Sequence, residues 1–346
     1  LTDSGGYQAY SLSDMNRVDD DGVTFKSIID GSDVRLTPER AMQVQNELGP
    51  DIMMAFDDCP PSANAEHVVR PSGRPALGGD RDIPPNPDAR LLRALARDRV
   101  EREVAPEATP PRTRKPTLTH AQRLEIANQR TIRWLERCKA SHARPGEQAL
   151  FGIIQGGVDL AQRSWCVERV CNVELPGYAI GGVAVGESPD AIATVVRHTA
   201  PLMPDGKPRY LMGVGYERDL LIAVRAGVDM FDCVLPTRNG RNANAFTRTG
   251  QIRLRNAQYQ LDQSPIEEGC DCLACDPARH GHATPDQQPF TRGYIRHLFM
   301  AGEMLGPILV SLHNLRHFQR FMADVRQTMQ TGDWSGLLAR FPVAAE

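Results

Sequence analysis

The 346-residue chain has no strong excess of charge. Forty Lys and Arg face 43 Asp and Glu, a formal net charge of -3. Overall basicity therefore does not announce a nucleic-acid partner, although a local basic face can exist within a near-neutral total. No apolar run is long enough to span a bilayer and no secretory signal opens the chain, so a cytoplasmic protein with no membrane partner is expected. A disulfide framework is also missing. The eight cysteines form one cluster of three plus thiols scattered through apolar segments, which is the usage of a reducing compartment. The chain opens at Leu1, and Thr2-Asp3-Ser4-Gly5-Gly6-Tyr7 already reads as the end of an active-site strand. An N-terminal segment is therefore expected to precede it.

The stretch 227–241 organises the rest. It begins as a short apolar run of strand formers and ends in Pro236, Arg238, Gly240 and Arg241, which is loop chemistry. Asp232 is thus expected near the carboxyl end of a buried strand, followed by a basic loop. A carboxylate there is well placed for catalysis in an α/β fold, although an Asp at a strand-to-loop turn commonly serves only the turn. The arginines point to an anion, most simply phosphate.

Before this stretch the chain alternates. A strand is expected at 24–29, a helix at 37–48 that starts on Thr37-Pro38 and stops at Gly49-Pro50, and a strand at 51–56 ending in Asp57-Asp58-Cys59-Pro60. Adjacent strand residues face opposite ways, so only one of the two aspartates should face a given site. Residues 61–118 are rich in Pro, Arg and Asp and read as a surface insertion, with apolar spacing for a helix at 88–104; a solvated loop and an RNA-contacting arm are both open. Helical spacing returns at 119–142. Strand–helix pairs then follow: strand 149–154 with helix 160–171, strand 178–180 with helix 188–198, strand 209–211 with helix 219–226. Their strands end in Gln155-Gly156-Gly157, Gly181-Gly182 through Gly186-Glu187, and Met212-Gly213-Val214-Gly215. Repeated βα units with short loops mean a parallel sheet. Glycines recur after successive strands rather than at one switch point, which favours a (β/α)₈ TIM barrel over a doubly wound sheet.

After Arg241 the pattern breaks. Residues 245–247 and 251–254 flank Arg248-Thr249-Gly250 as a hairpin. Cys270-x-Cys272-x₂-Cys275 is a zinc signal that needs a fourth ligand, with His280, His282, His297, His313 and His317 as candidates. A long helical segment is expected at 291–328. The domain reading is one barrel over 1–346, carrying the 61–118 insertion and a zinc-binding subdomain with C-terminal helices at 243–320.

Taken together, Thr2-Asp3-Ser4-Gly5-Gly6-Tyr7, Met54-Ala55-Phe56-Asp57-Asp58-Cys59, Gly152-Ile153-Ile154-Gln155-Gly156-Gly157, Gly181-Gly182-Val183-Ala184-Val185-Gly186-Glu187, Tyr210-Leu211-Met212-Gly213-Val214-Gly215 and the Asp232 stretch resemble the bacterial type of the tRNA-guanine transglycosylase (queuine tRNA-ribosyltransferase) family, from Thr2 to about Arg320. The resemblance implies a TIM barrel, lacking its N-terminal strand or strands here, with a zinc-bearing insertion near the C-terminus. It implies exchange of guanine at the wobble position of tRNA for 7-aminomethyl-7-deazaguanine (preQ1) through a covalent enzyme–ribose intermediate, in queuosine biosynthesis. It implies Asp232 as nucleophile and Asp3 as general acid/base. The base would be held by Ser4, Tyr7, Asp57, Cys59, Gln155, Gly181, Gly182, Val185, Glu187 and Met212, with Tyr7 and Met212 on its faces. Gly213, Arg238 and Arg241 would contact RNA. One structural Zn2+ would sit on Cys270, Cys272, Cys275 and His313, and the protein would be a homodimer. Val185 points to the smaller incoming base. The insertion at 61–118 and the 275–313 spacing are both longer than the family pattern.

The chemistry asks for the same residue types. Breaking an N-glycosidic bond develops oxocarbenium character, which a carboxylate can trap. The departing base needs a proton, and a loop nucleotide is reached by extrusion into a pocket. Three other readings compete: a non-catalytic RNA-binding homologue, expected to lose the nucleophile; a transglycosylase with another 7-deazaguanine base or nucleic-acid substrate; and a carbohydrate glycosidase, expected to carry more aromatic platforms than 6% aromatics provide.

Overall fold

The computed structural model describes residues 1–6, 16–27, 29–60, 118–280 and 288–345. Tyr7, His282, the expected helix at 88–104 and nearly all of the 61–118 segment lie outside the described residues.

A small antiparallel sheet comes first, with order β1 (Asn16–Asp19), β2 (Gly22–Lys26), β3 (Asp33–Leu36). Only its middle strand is expected from sequence, and it spans 22–26 rather than 24–29. The outer two are four residues each and hold no two apolar residues in succession, so they carry no apolar run to mark them. Helix α1 (Pro38–Leu48) follows, opened by Thr37, whose hydroxyl accepts from the Arg40 amide, and closed by Gly49 at φ 69. That left-handed φ is the conformation glycine adopts without penalty.

The main sheet is parallel, with strands in sequence order: β4 (Ile52–Met54), β5 (Ala149–Ile154), β6 (Gly177–Ile180), β7 (Arg209–Leu211), β8 (Met230–Phe231). Thr2 extends it on the far edge of β4, bonding Ile52 O and Met54 N while β5 takes the other edge. Helices α2 (His120–Ser141), α3 (Leu160–Cys171), α4 (Pro189–Thr199) and α5 (Glu217–Arg225) connect the strands. The first three start on side-chain caps: a Thr119/Gln122 capping box, Asp159 on the amides of Ala161 and Gln162, and Ser188 on Ala191. Each such cap satisfies amides that the first turn leaves orphaned.

The two faces of the sheet differ. Leu150, Ile154, Tyr178, Ile180 and Leu211 pack with Met42, Trp134, Cys166, Val196 and Ala223 from the helices. Met54, Phe151, Ile153, Ala179 and Tyr210 pack only with one another and with strand-end neighbours such as Met212 and Met230. Among the described residues, then, helices cover one face and strand side chains fill the other, with no reversal of strand order. A doubly wound sheet has helices on both faces and a switch point. The sheet is therefore a curled parallel half-barrel, its concave face lined by strands.

Beyond β8 the expected basic loop is a helix, α6 (Leu235–Arg241). Pro236 lies in its first turn, where a missing amide costs nothing. Gly240 is tolerated near its end because a Cβ there would stand 2.4 Å from Ser311 Oγ; close approach to the neighbouring helix demands glycine. The hairpin β9 (Asn244–Thr247) and β10 (Gly250–Arg253) is as expected, with Arg248-Thr249 as its turn. The segment expected to be one helix at 291–328 is two, α7 (Arg292–Ala301) and α8 (Leu305–Thr331), broken by Gly302 at φ 76. Helix α9 (Trp334–Arg340) follows. No helix among the described residues is long and apolar enough to cross a membrane.

Candidate active site and metal centre

The residues singled out from sequence gather at the carboxyl ends of the parallel strands. Asp3 follows Thr2; Asp57 follows β4; Gln155 follows β5; Gly181 and Gly182 follow β6; Met212 and Gly213 follow β7; Asp232 follows β8. The edge that carries Asp3 is latched by buried Gln45 of α1, which accepts from the Thr2 hydroxyl at 2.8 Å and donates to Met54 O at 3.0 Å.

Asp232 is exposed, and its Oδ1 is held by two donors, the Tyr210 hydroxyl at 2.7 Å and the Gly213 amide at 2.8 Å. Burial, then the bond to Asp232, holds the Tyr210 phenol above its usual range, so it stays a donor. Both bonds fall on one oxygen, which leaves Oδ2 for chemistry. The short strand β8 thus ends in a carboxylate that is oriented but open to solvent. Tyr210 is a site residue that sequence reasoning misses; it lies within one of the motifs, on the concave face, with nothing in its local pattern to mark it.

Asp57 is the opposite case. It is buried, with Gln155 Nε2 at 2.6 Å from Oδ2 and Ser4 Oγ at 3.4 Å from Oδ1. Burial first, then the charges of Asp3 and Asp58, push its carboxyl up to about 7. Asp3 accepts the Ser4 amide at 2.8 Å and is exposed. The next residue, Asp58, turns away, as expected from sequence, although both aspartates lie beyond the end of β4. It takes Arg123 at 2.6 Å and Arg130 at 2.5 Å on the convex side.

Gln155 Oε1 and Glu187 Oε1 are buried with no partner among the described residues. Such acceptors cost about 1–3 kcal/mol each when left unmade, so both could take donors from a molecule bound between them. A Cβ at Gly182 would sit 2.1 Å from Gln155 Oε1, which places that orphan against the Gly181–Gly182 turn. Glu187 Oε2 accepts the Val185 amide at 2.8 Å. The loop between them holds Ala184 at φ 62, a left-handed conformation costly for a residue with a Cβ. Burial pushes the Cys59 thiol well up, so Cys59 is a neutral wall residue.

A second residue that sequence reasoning misses explains the loops. Arg163 of α3 is fully buried and has no carboxylate partner among the described residues. Its guanidinium donates to Ile154 O at 3.0 Å, Gly157 O at 2.8 Å, Gly181 O at 2.7 Å and Gly182 O at 3.0 Å. Burial pushes it down to about 10, so it remains charged at neutral pH and ties the β5 and β6 loops together. In the sequence it is one more arginine in an amphipathic helix.

Arg238 and Arg241 lie one turn apart on α6, both exposed. Neither side chain is ion-paired among the described residues.

Cys270, Cys272, Cys275 and His313 form a buried cluster whose ligand atoms all lie within 4.8 Å of one another. His313 Nδ1 stands 3.7, 3.5 and 3.5 Å from the three sulfurs. A zinc tetrahedron with Zn–S about 2.3 Å and Zn–N about 2.1 Å has S–N edges near 3.6 Å, so the donor set fits zinc. His313 Nε2 meets Phe246 O at 2.7 Å, which assigns the proton to Nε2 and leaves Nδ1 for a metal. Among the sequence candidates, His280 bonds Asp271 O and His317 pairs with Glu217. His313 is the fourth ligand, as the resemblance implied, and its place in a closed set of four makes the site structural.

An oriented, exposed carboxylate and a buried carboxylate–amide pair at the strand ends, with a closed Cys₃His centre beyond them, define an α/β protein with a polar site at the carboxyl edge of a curled parallel sheet and a structural metal centre. The queuine tRNA-ribosyltransferase profile matches residues 1–73 and 111–345. A queuine tRNA-ribosyltransferase of Thermus thermophilus is 41% identical over 341 residues, 99% of this chain and 71% of that protein. Those of Nostoc sp. and Methylibium petroleiphilum are 40% and 38% identical, over 95% and 99% of this chain and 70% and 75% of theirs. The chain belongs to the queuine tRNA-ribosyltransferase family. Residues 74–110, within the expected insertion, fall outside the family match.

Proposed function

We propose that the protein replaces guanine at the anticodon wobble position of tRNA with 7-aminomethyl-7-deazaguanine through a covalent enzyme–ribose intermediate. Asp232 Oδ2 attacks C1′ of the ribose, and the C1′–N9 bond breaks. The guanine leaves with the bonding pair and takes a proton from Asp3. The incoming base gives a proton back to Asp3, its N9 attacks C1′, and Asp232 is released. Tyr210 and Gly213 hold the nucleophile in place through both steps.

Asp57, Gln155 and Gly182 hold the edge of the purine, whose N–H donors suit an ionised carboxylate and the orphaned Gln155 Oε1. Ser4 orients Asp57. Met212 and Tyr7 cover the ring faces. Gly181, Cys59, Val185 and Glu187 shape the wall beside the 7-substituent. Val185 limits its bulk, and the orphaned Glu187 Oε1 is a counter-charge for an aminomethyl group. Arg238 and Arg241 bind anticodon-loop phosphate, with Gly213 nearby. Cys270, Cys272, Cys275 and His313 would hold zinc, which supplies structural cross-linking and no step of the exchange.

We read the half-barrel as part of a closed (β/α)₈ barrel in a single domain over 1–346, with an insertion at 61–118 and a zinc subdomain at 243–320. We also read the protein as a homodimer. Met304, Leu305, Ile308, Leu312 and Leu315 are exposed along α8, an apolar stripe at helical spacing that a second copy would cover.

The observation that carries the reading is Asp232, held on one oxygen and open on the other. The test is incorporation of labelled guanine into unmodified tRNA, wild type beside Asp232→Asn. Wild type should incorporate label and form an adduct with tRNA that survives denaturation. The variant should fall below about one thousandth of that rate and form no adduct. Equal incorporation by both would remove Asp232 from the mechanism. None by folded, zinc-loaded wild type would favour a non-catalytic homologue.

A further inference from the structure

Away from the strand ends lies an open cleft of about 560 Å³, lined by Arg248, Arg316, Arg320, Ala323, Asp324, Gln327 and Arg340. Four guanidiniums meet one lining carboxylate. Arg316 is held bidentate on Asp271 at 2.7 and 2.6 Å. The others have donors to spare. Arg340 touches Asp324 through Nε alone at 3.2 Å. Arg320 stands 3.7 Å from Glu267, beyond hydrogen-bond range. Arg248 has no carboxylate partner among the described residues; it lies over the Phe341 ring and its Nε is buried without a partner.

The position of the cleft matters as much as its charge. His317 of α8 pairs with Glu217 at 2.7 Å. Glu217 opens α5, just beyond the β7 turn whose Gly213 holds Asp232. Arg316 and Arg320 flank His317 within one turn, about 5 Å of helix rise. The cleft therefore begins level with the strand ends and runs down the flank as α8 follows α5, with Phe321 and Val325 packed beside Leu220, Leu221 and Val224. From Arg316 to Gln327 the lining advances 11 positions along the helix, about 16 Å of rise. That is too long for one phosphate and suited to several in a row. Guanidinium forks bind phosphate oxygens bidentately, and backbone contacts of this kind position a nucleic acid without reading its sequence.

We propose that this cleft binds the sugar–phosphate backbone of the tRNA stem beyond the nucleotide being exchanged. The proposal rests on the base-exchange reading and extends it to a second contact region of the same RNA. Arg248, Arg320 and Arg340 supply the phosphate donors, and Gln327 marks the far end.

The test compares wild type with Arg248→Gln/Arg320→Gln and, separately, with Gln327→Glu, which adds a negative charge at an exposed position and removes no partner of an existing ion pair. KM for whole tRNA should rise about tenfold in the double variant and severalfold in Gln327→Glu, with kcat and KM for free guanine within twofold. The slope of log affinity against log salt should fall by roughly 0.7–0.9 for each phosphate that the variant no longer neutralises. Filter retention of tRNA measures the same affinity without exchange, so failure of the base-exchange reading is distinguishable from failure of this one. Unchanged tRNA affinity in Gln327→Glu would overturn the proposal, whatever the double variant's stability. So would millimolar inorganic phosphate protecting the cleft arginines from a guanidine reagent while whole tRNA does not, because the cleft would then be a free-phosphate site.

Discussion

Asp57 shows how a single side chain can pull stability and binding in opposite directions. Its carboxyl titrates near 7 in the folded protein, against 3.8 as its ordinary value, because it is buried beside Asp3 and Asp58. Between those values the native state holds one more proton than the unfolded chain. Stability contributed by this group therefore falls as pH rises from about 4 to about 7, by at most about 1.4 kcal/mol per unit, and levels off above. Asp57→Asn should flatten that part of the pH–stability curve, read from denaturant midpoints; superimposable curves would mean that burial of Asp57 is not the cause. Affinity for guanine should move the other way and weaken as pH falls below about 7, because the protonated acid loses an acceptor for the base edge. Arg163 is the complementary case. This buried cation meets only carbonyls among the described residues, and without it the loop oxygens of Gly157, Gly181 and Gly182 would lose their donor. Neither role is legible from sequence: Asp57 can be placed at a strand end, but its proton affinity depends on what is stacked around it.

At the scale of elements, what can be read is periodic and what cannot is imposed by neighbours. Strands 149–154 and 209–211 and the helix 160–171 have the bounds their spacing predicts. Asp57 and Asp58 split to opposite faces, as expected, although both lie beyond the end of β4. Helix α6 is unreadable because Pro236, Asn239 and Gly240 argue locally for a loop. Its helical state comes from packing on α8, where Asn314 donates to Pro236 O and Asn244 O at 2.9 and 3.0 Å. Gly240 is the test of that account. Gly240→Ala would ordinarily favour a helix, yet here its Cβ meets Ser311 at 2.4 Å from Oγ and 2.8 Å from the backbone. We expect a loss of about 1–3 kcal/mol by denaturant unfolding, the usual cost of overpacking, and partial recovery in Gly240→Ala/Ser311→Gly. A stabilised single variant would mean that the helices do not constrain each other there. The break at Gly302 escapes a sequence reading for the converse reason: one glycine in a long helical pattern is tolerable on its own, and its left-handed φ is visible only in the fold.

The molecule as a whole is held together by α8. His313 reaches the cysteine cluster through Nδ1 and Phe246 O through Nε2; Asn314, next in sequence, bonds the Phe246 amide and α6; His317 bonds α5. The three cysteine ligands also sit in one core with Ile266, Ile295, Leu298 and Val310. Stripping zinc with a chelator should therefore melt the 243–320 region and abolish exchange together, as the three cluster thiols become titratable. Retained exchange after complete thiol release would show that the two regions are independent.

The pair of arginines on Asp58 has a consequence for how this chain tolerates change in length. Asp58 leaves β4 two residues before Pro60, and Arg123 and Arg130 belong to the helix that begins at His120. The Asp58 amide also donates to the Thr131 hydroxyl at 3.1 Å. The exit and re-entry points of residues 61–117 are thus clasped to each other from inside the fold. For a segment so closed, each doubling of length costs only about 0.6 kcal/mol of closure entropy. The clasp between Asp58 and the helix, and not the length of what joins them, fixes the strand ends.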